Sequence, residues 1–81
     1  MLDFAKKCLH IRRDNTAFDD EVTDLIAACK ADLRKHGVVK ISESDPLIKQ
    51  AIKLYCKGNF GYSGDDAERF QKSYESLANS L

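Results

Sequence analysis

The sequence predicts an all-α fold, a small single domain with a short first helix, long second and third helices and a C-terminal fourth helix. Apolar side chains recur at three- and four-residue steps, which is the spacing of one face of a helix. Capping residues, glycine and proline stand where these segments would begin and end. The connections are short, and no second strand-like run is evident that could pair into a sheet.

A short first helix is predicted from about Asp3 to Leu9. Asp3 is a suitable N-cap, and Phe4 and Cys8 share a face at the four-residue spacing. Ile11 is expected to pack inward where the chain leaves this helix.

The second predicted helix has the strongest periodicity in the chain. Thr16 precedes it and Asp19 follows three residues later, which is a variant of the capping box. Acidic residues are concentrated in its first turns and basic residues in its last, so both complement the helix dipole. His36, one of these basic residues, suits a helix C-terminus, and Gly37 is expected to end the helix.

The third predicted helix has Asp45 at the N-cap and Pro46 at the first helical position, and it runs to about Phe60. Before it, the Val38–Ser44 stretch is either a short extended piece or a loop. After it, the fourth helix is expected to begin at Asp65 as cap. The predicted core consists mainly of Phe18, Val22, Leu25, Ile26, Leu33, Ile48, Ala51, Ile52, Tyr55, Phe70, Tyr74 and Leu77.

Length and composition limit the classes of protein that the chain can belong to. Its 81 residues suit one domain, residues 1–81, whose core is marginal unless partner subunits cover it. The cysteines number 3, an odd count without a close pair, so we expect reduced thiols in a reducing cytosol. Residues 1–7 lack the apolar core of a signal peptide, and no apolar run could cross a bilayer. We therefore expect a soluble protein that is not exported and has no membrane partner.

The candidate metal ligands and nucleophiles are few and widely spaced. They are Cys8, His10, Cys29, His36 and Cys56. Structural zinc sites present ligands in close pairs, and Cys8 with His10 is the single close pair here. Nucleophilic catalysis needs a thiol and a base within hydrogen-bond reach, and the sequence gives no such indication. We therefore predict no metal, no cofactor and no enzymatic activity.

Two charged clusters are the main candidate interface residues. Lys49, Lys53 and Lys57 recur every four residues and form a basic ridge on the third helix. The ridge fits a solvated face, a contact with an acidic neighbour, or a contact with DNA phosphates. The acidic cluster on the second helix comprises Asp19, Asp20, Glu21 and Asp24. Opposite charges on one chain suit head-to-tail self-association, and such contacts close into rings when the rotation allows.

Three apolar residues are further interface candidates. Val39 and Ile41 lie in the uncertain Val38–Ser44 stretch, where they either cover the core or serve an interface. Tyr62 follows Phe60 and Gly61 in an aromatic corner between helices. Such corners usually serve packing and turn geometry, but tyrosine is also enriched at protein interfaces.

Two parts of the sequence resemble a known family. The first is Leu9-His10-Ile11 leading to Asp14, followed by the acidic start and apolar periodicity of residues 19–33. The more specific part is Asp45-Pro46-Leu47-Ile48-Lys49-Gln50-Ala51-Ile52, with Tyr55, Phe60-Gly61-Tyr62 and Phe70-Gln71-Lys72-Ser73-Tyr74-Glu75-Ser76-Leu77. Together they resemble the small head–tail connector proteins of tailed bacteriophages, which are also called head-completion or DNA-packaging proteins.

The resemblance implies a structural protein of the virion rather than an enzyme. Its subunits would assemble in the host bacterial cytoplasm into a ring of about a dozen copies, which follows the symmetry of the portal protein. The ring would dock below the portal at the head–tail junction after DNA packaging. It would extend the DNA channel, with a possible passing contact with genomic DNA, and present a surface to the next head-closure or tail-completion protein.

Two alternatives remain open from the sequence. One is a small helical nucleic-acid-binding domain. The balance of 13 basic and 13 acidic residues counts against it, because DNA-binding domains usually carry a basic excess. The fourth helix also begins with Asp65, Asp66 and Glu68, which phosphates would repel. The other alternative is a helical adaptor that binds one partner as a monomer.

Overall fold

The computed structural model describes residues 1–60 and 66–81. These residues form four helices, α1 (Leu2–Cys8), α2 (Asp19–Lys35), α3 (Pro46–Asn59) and α4 (Ala67–Ser80), and no strand. The all-α prediction is therefore confirmed. The predicted Asp65 cap, Gly61 and Tyr62 lie outside the described residues.

Helix α1 begins earlier than predicted. Met1 is its N-cap, and the Met1 carbonyl accepts a bond from the Ala5 N–H at 3.0 Å, so Asp3 lies in the first turn and the predicted Asp3 cap is wrong. The helix ends in a Schellman motif, in which the Ile11 N–H donates to the Lys6 carbonyl at 2.9 Å. His10 occupies the left-handed position of this motif with φ 60°. Ile11 packs against the core, as predicted.

Helix α2 also begins differently from the prediction. Phe18 is its N-cap and makes no side-chain cap bond, so the predicted Thr16–Asp19 capping box is wrong. The physical reason is that the Asp19 carboxylate is engaged by Lys6 of α1, at 2.8 Å. The helix ends as predicted at Gly37, whose φ of 88° glycine adopts without steric cost.

Helix α3 matches its prediction closely. Asp45 caps it by accepting the Leu47 N–H at 2.9 Å, and Pro46 occupies the first helical position. The preceding segment, residues 38–44, is neither helix nor strand, which settles it as a loop. The Glu43 side chain of this loop pairs with Lys30, whose ammonium lowers the pKa of Glu43.

Helix α3 lies at the centre of the domain, with α2 and α4 packed beside it and α1 covering α2 and α3. Phe18 at the start of α2 contacts Phe60 after α3, with ring centroids 5.6 Å apart, so α2 and α3 run antiparallel. Helices α3 and α4 are antiparallel as well, and their Tyr55 and Tyr74 rings meet edge to face at 5.1 Å. Helices α2 and α4 therefore run in the same direction.

The core agrees with the prediction except at its edges. Its buried members are Ala5, Leu9, Val22, Ile26, Cys29, Leu33, Ile48, Ala51, Ile52, Cys56, Tyr74 and Ala78. Leu25, Tyr55 and Leu77 are half-buried against it. Phe18 is 41% exposed, so its prediction as core is wrong. The helix starts after Phe18, and the Phe18 ring packs against that of Phe60 at the end of α3. Phe70 is half-buried beneath Lys57 and Arg69 rather than inside.

Candidate functional site

The predicted lysine ridge lies along α3 beside α1. The Lys49 ammonium is 5.8 Å from the centre of the Phe4 ring, and the Lys57 ammonium is 5.4 Å from that of Phe70. Lys53 and Lys57 share an open depression with Lys7 of α1. We call Lys7, Lys49, Lys53 and Lys57 the basic band. Its aromatic neighbours support the lysine stems and hold their charges at the surface.

The acidic cluster of α2 divides into an internal part and an exposed part. Asp19 pairs with Lys6, which is only 3% exposed and also donates to the Arg13 carbonyl at 3.0 Å. This pair fixes α1 to the start of α2, so Asp19 serves the fold. Asp20, Glu21 and Asp24 are exposed.

The two interface candidates in the loop before α3 differ in their burial. Val39 is 97% exposed, whereas Ile41 is half-buried and packs against the core. Val39 lies beside Arg34, Gly37 and Val38 at a shallow surface that follows α2. An isoleucine that covers the core is available to a partner only in part, so Val39 is the better interface candidate of the two.

A polar groove between α2 and α4 was not predicted from the sequence. The Tyr74 hydroxyl donates to Asp32 Oδ2 at 2.7 Å, and His36 Nε2 lies 3.3 Å from the same oxygen. His36 Nδ1 is 2.9 Å from Asn79 Oδ1, so these contacts join α2 to α4. Burial, followed by the bond to Asp32, raises the pKa of Tyr74. The four-residue spacing of Asp32 and His36 was the available signal, but their partners lie more than forty residues away.

The described residues offer no constellation for metal binding. Within residues 1–60 and 66–81, no group of three or more His, Cys, Asp or Glu side chains is placed to hold a metal ion. Cys8, Cys29 and Cys56 are free thiols in the structure. Burial raises the pKa of Cys29 to about 12 and that of Cys56 to about 11, so neither thiol forms the reactive thiolate at neutral pH.

A family model for phage connector proteins matches residues 1–81, the whole chain. The chain belongs to the phage connector family. This membership confirms the resemblance found in the sequence, and it makes the protein a structural component of the head–tail junction of a virion. No curated protein and no solved structure matches this connector significantly.

The described helices of this connector are all too short or too polar to cross a membrane. The candidate interface surfaces of this chain are the basic band, the exposed acids of α2, the exposed Val39 and the groove between α2 and α4.

Proposed function

We propose that this connector forms a ring of about a dozen copies that docks below the portal and joins the phage head to the tail after DNA packaging. Subunits made in the host cytoplasm assemble on the portal, and the ring extends the channel through which the genome passes. Its far side receives the next head-closure or tail-completion protein. The connector family membership supports this role.

The observation that carries the ring is the presence of two separate surfaces of opposite charge on one chain. They lie on different helices, α3 with α1 for the lysines and α2 for the acids. The outer side of α3 carries the basic band, and α2 exposes Asp20, Glu21 and Asp24. Because the two charged surfaces differ, a contact between them is heterologous, and repeated heterologous contacts form a ring when they close.

Exposed apolar side chains supply a second type of surface. Val39 is 97% exposed, Leu47 is 52% exposed and Phe18 is 41% exposed. Apolar side chains of this size lose contact with water when a partner covers them, which stabilises the complex. We assign them to the contacts with the portal or with the protein that follows the connector.

Charge reversal at the basic band tests this function. Lys49→Glu combined with Lys53→Glu should weaken self-association, because the band would then repel the acids of the next copy. The measurement is mass by light scattering after size exclusion, over a concentration series. The matched control is Lys40→Glu with Lys72→Glu, which makes the same change of charge at two exposed lysines outside the band. Assembly that is equal in both variants would contradict the proposed contact.

A further inference from the structure

The groove between α2 and α4 is an open cavity of about 290 Å³. Both helices pack beside α3 and run in the same direction, and Tyr55 and Asn59 of α3 line the groove between them. Asp32 contributes a carboxylate from α2, and Glu75 contributes one from α4. The groove is therefore a polar cleft with carboxylates from both of its walls.

Three of the hydrogen-bond donor groups around the groove are engaged inside the protein. The Asn59 side-chain nitrogen donates to the Tyr55 carbonyl at 2.8 Å, and the Gln71 side-chain nitrogen donates to the Gly58 carbonyl at 2.9 Å. The Tyr74 hydroxyl donates to Asp32 Oδ2. These bonds direct one N–H or O–H of each of the three groups to an internal acceptor.

Acceptor atoms remain available around the same groove. Among the residues that the structure describes, no hydrogen bond or ion pair engages Glu75 or Asp32 Oδ1. The Asn59 and Gln71 side-chain oxygens add two further acceptors. A site that offers acceptors and two carboxylates, with the Tyr55 ring beside them, suits a cation that carries several N–H donors. The two carboxylates disfavour an anion there.

We infer that this groove binds a lysine ammonium from the basic band of a second copy of the chain. The inference rests on the proposed ring and names the acidic half of its subunit contact. Charge complementarity selects the occupant, because the band presents four lysines on α1 and α3, away from the groove. Glu21 precedes Asp32 by eleven residues on α2, about three turns, so it extends the acidic row on the same side of the helix. The exposed acids of α2 attract the band of the second copy, and the groove carboxylates bind one of its lysine ammonium groups.

Two variants test the inference, each with only one of the two contact surfaces reversed in charge. Glu75→Lys blocks the groove and leaves the band intact, whereas Lys49→Glu with Lys53→Glu blocks the band and leaves the groove intact. For each variant alone, the dissociation constant of self-association should be at least about tenfold higher than for the unmodified chain. Mixed in equal amounts, they should associate again, since the intact groove of one variant meets the intact band of the other. Light scattering measures the mass, and circular dichroism confirms that each variant keeps its helices.

Asp14→Lys is the matched control, because it makes the same change of charge as Glu75→Lys at an exposed loop residue. It should leave self-association unchanged. Unchanged assembly of the Glu75→Lys variant, or a mixture that does not associate, would overturn the groove assignment without contradicting the ring. A wild-type chain that stays monomeric at millimolar concentration would also overturn it, and binding to the isolated portal would then decide the connector role separately.

Discussion

At the scale of single residues, the fold depends on charged and polar groups that are buried with a partner. Lys6 is 3% exposed, and its ammonium is held by the Asp19 carboxylate and the Arg13 carbonyl. A cation removed from water is tolerated only when such partners replace its hydration. This pair explains why Asp19, one of four neighbouring acids, differs in role from the others.

Asp19→Asn should lower the free energy of unfolding by about 2–3 kcal/mol, because it leaves the buried Lys6 ammonium without its counter-charge. The measurement is urea unfolding followed by circular dichroism. Asp20→Asn is the control, since the neighbouring Asp20 is exposed, and it should change stability by no more than about 0.5 kcal/mol. Equal effects of the two substitutions would contradict the assigned role of the pair.

The buried thiol of Cys29 should make stability depend on alkaline pH. Burial raises the pKa of Cys29 from 9.0 to about 12, so between these values the unfolded chain releases a proton that the folded chain keeps. Its contribution to stability is therefore complete below pH 9 and is lost as the pH rises toward 12. Urea unfolding gives the free energy of unfolding at pH 7.5 and at pH 10. Its decrease between these pH values should be smaller for Cys29→Ala than for the unmodified chain. Cys8→Ala, at a half-exposed position, is the control. A decrease for Cys29→Ala equal to that of the unmodified chain would contradict the prediction.

At the scale of elements, local signals predicted some boundaries and missed others. The Asp45–Pro46 start of α3 and the Gly37 stop of α2 depend on neighbouring residues, so the sequence contains the whole signal. The starts of α1 and α2 were predicted incorrectly. At α2 the Asp19 carboxylate is engaged by a residue of another helix, and pairing across the fold cannot be inferred from spacing within one segment.

Helices α3 and α4 approach each other closely at Gly58. A Cβ at this position would lie 2.9 Å from Gln71 Cγ and 3.2 Å from the Gln71 backbone nitrogen, and the backbone cannot move away easily. Gly58→Ala should therefore destabilise the protein by about 1–2 kcal/mol, although alanine favours the helix. Thermal unfolding measures the change. Gln50→Ala, at an exposed position of the same helix, should be near neutral, and a stabilised Gly58→Ala variant would contradict the tight contact.

At the scale of the whole molecule, the surfaces determine how the chain acts. The lysine ridge was predictable because a four-residue spacing places side chains on one face of a helix. The addition of Lys7 to it and the groove between α2 and α4 were not, because they depend on how the helices pack. Asp32 and Tyr74 are 42 positions apart in the sequence, yet their side chains are hydrogen-bonded.

The same packing accounts for the proposed assembly. A chain of 81 residues buries a limited core, so the subunit contacts of the proposed ring would add to its stability. In that ring the basic surface of one copy would face the acidic surface of the next, and the net charge of zero adds no overall repulsion between copies. Self-association through these surfaces should therefore weaken as the salt concentration rises, because salt screens exposed charges.

Assembly of the chain into a ring is decided by one quantity, the mass of the assembled species. Light scattering after size exclusion, over a concentration series and with negative-stain images of the largest species, provides this mass. We predict closed rings of about a dozen copies, in free solution or on the isolated portal. A chain that remains monomeric at the highest concentration, and that also fails to bind the portal, would contradict the claim.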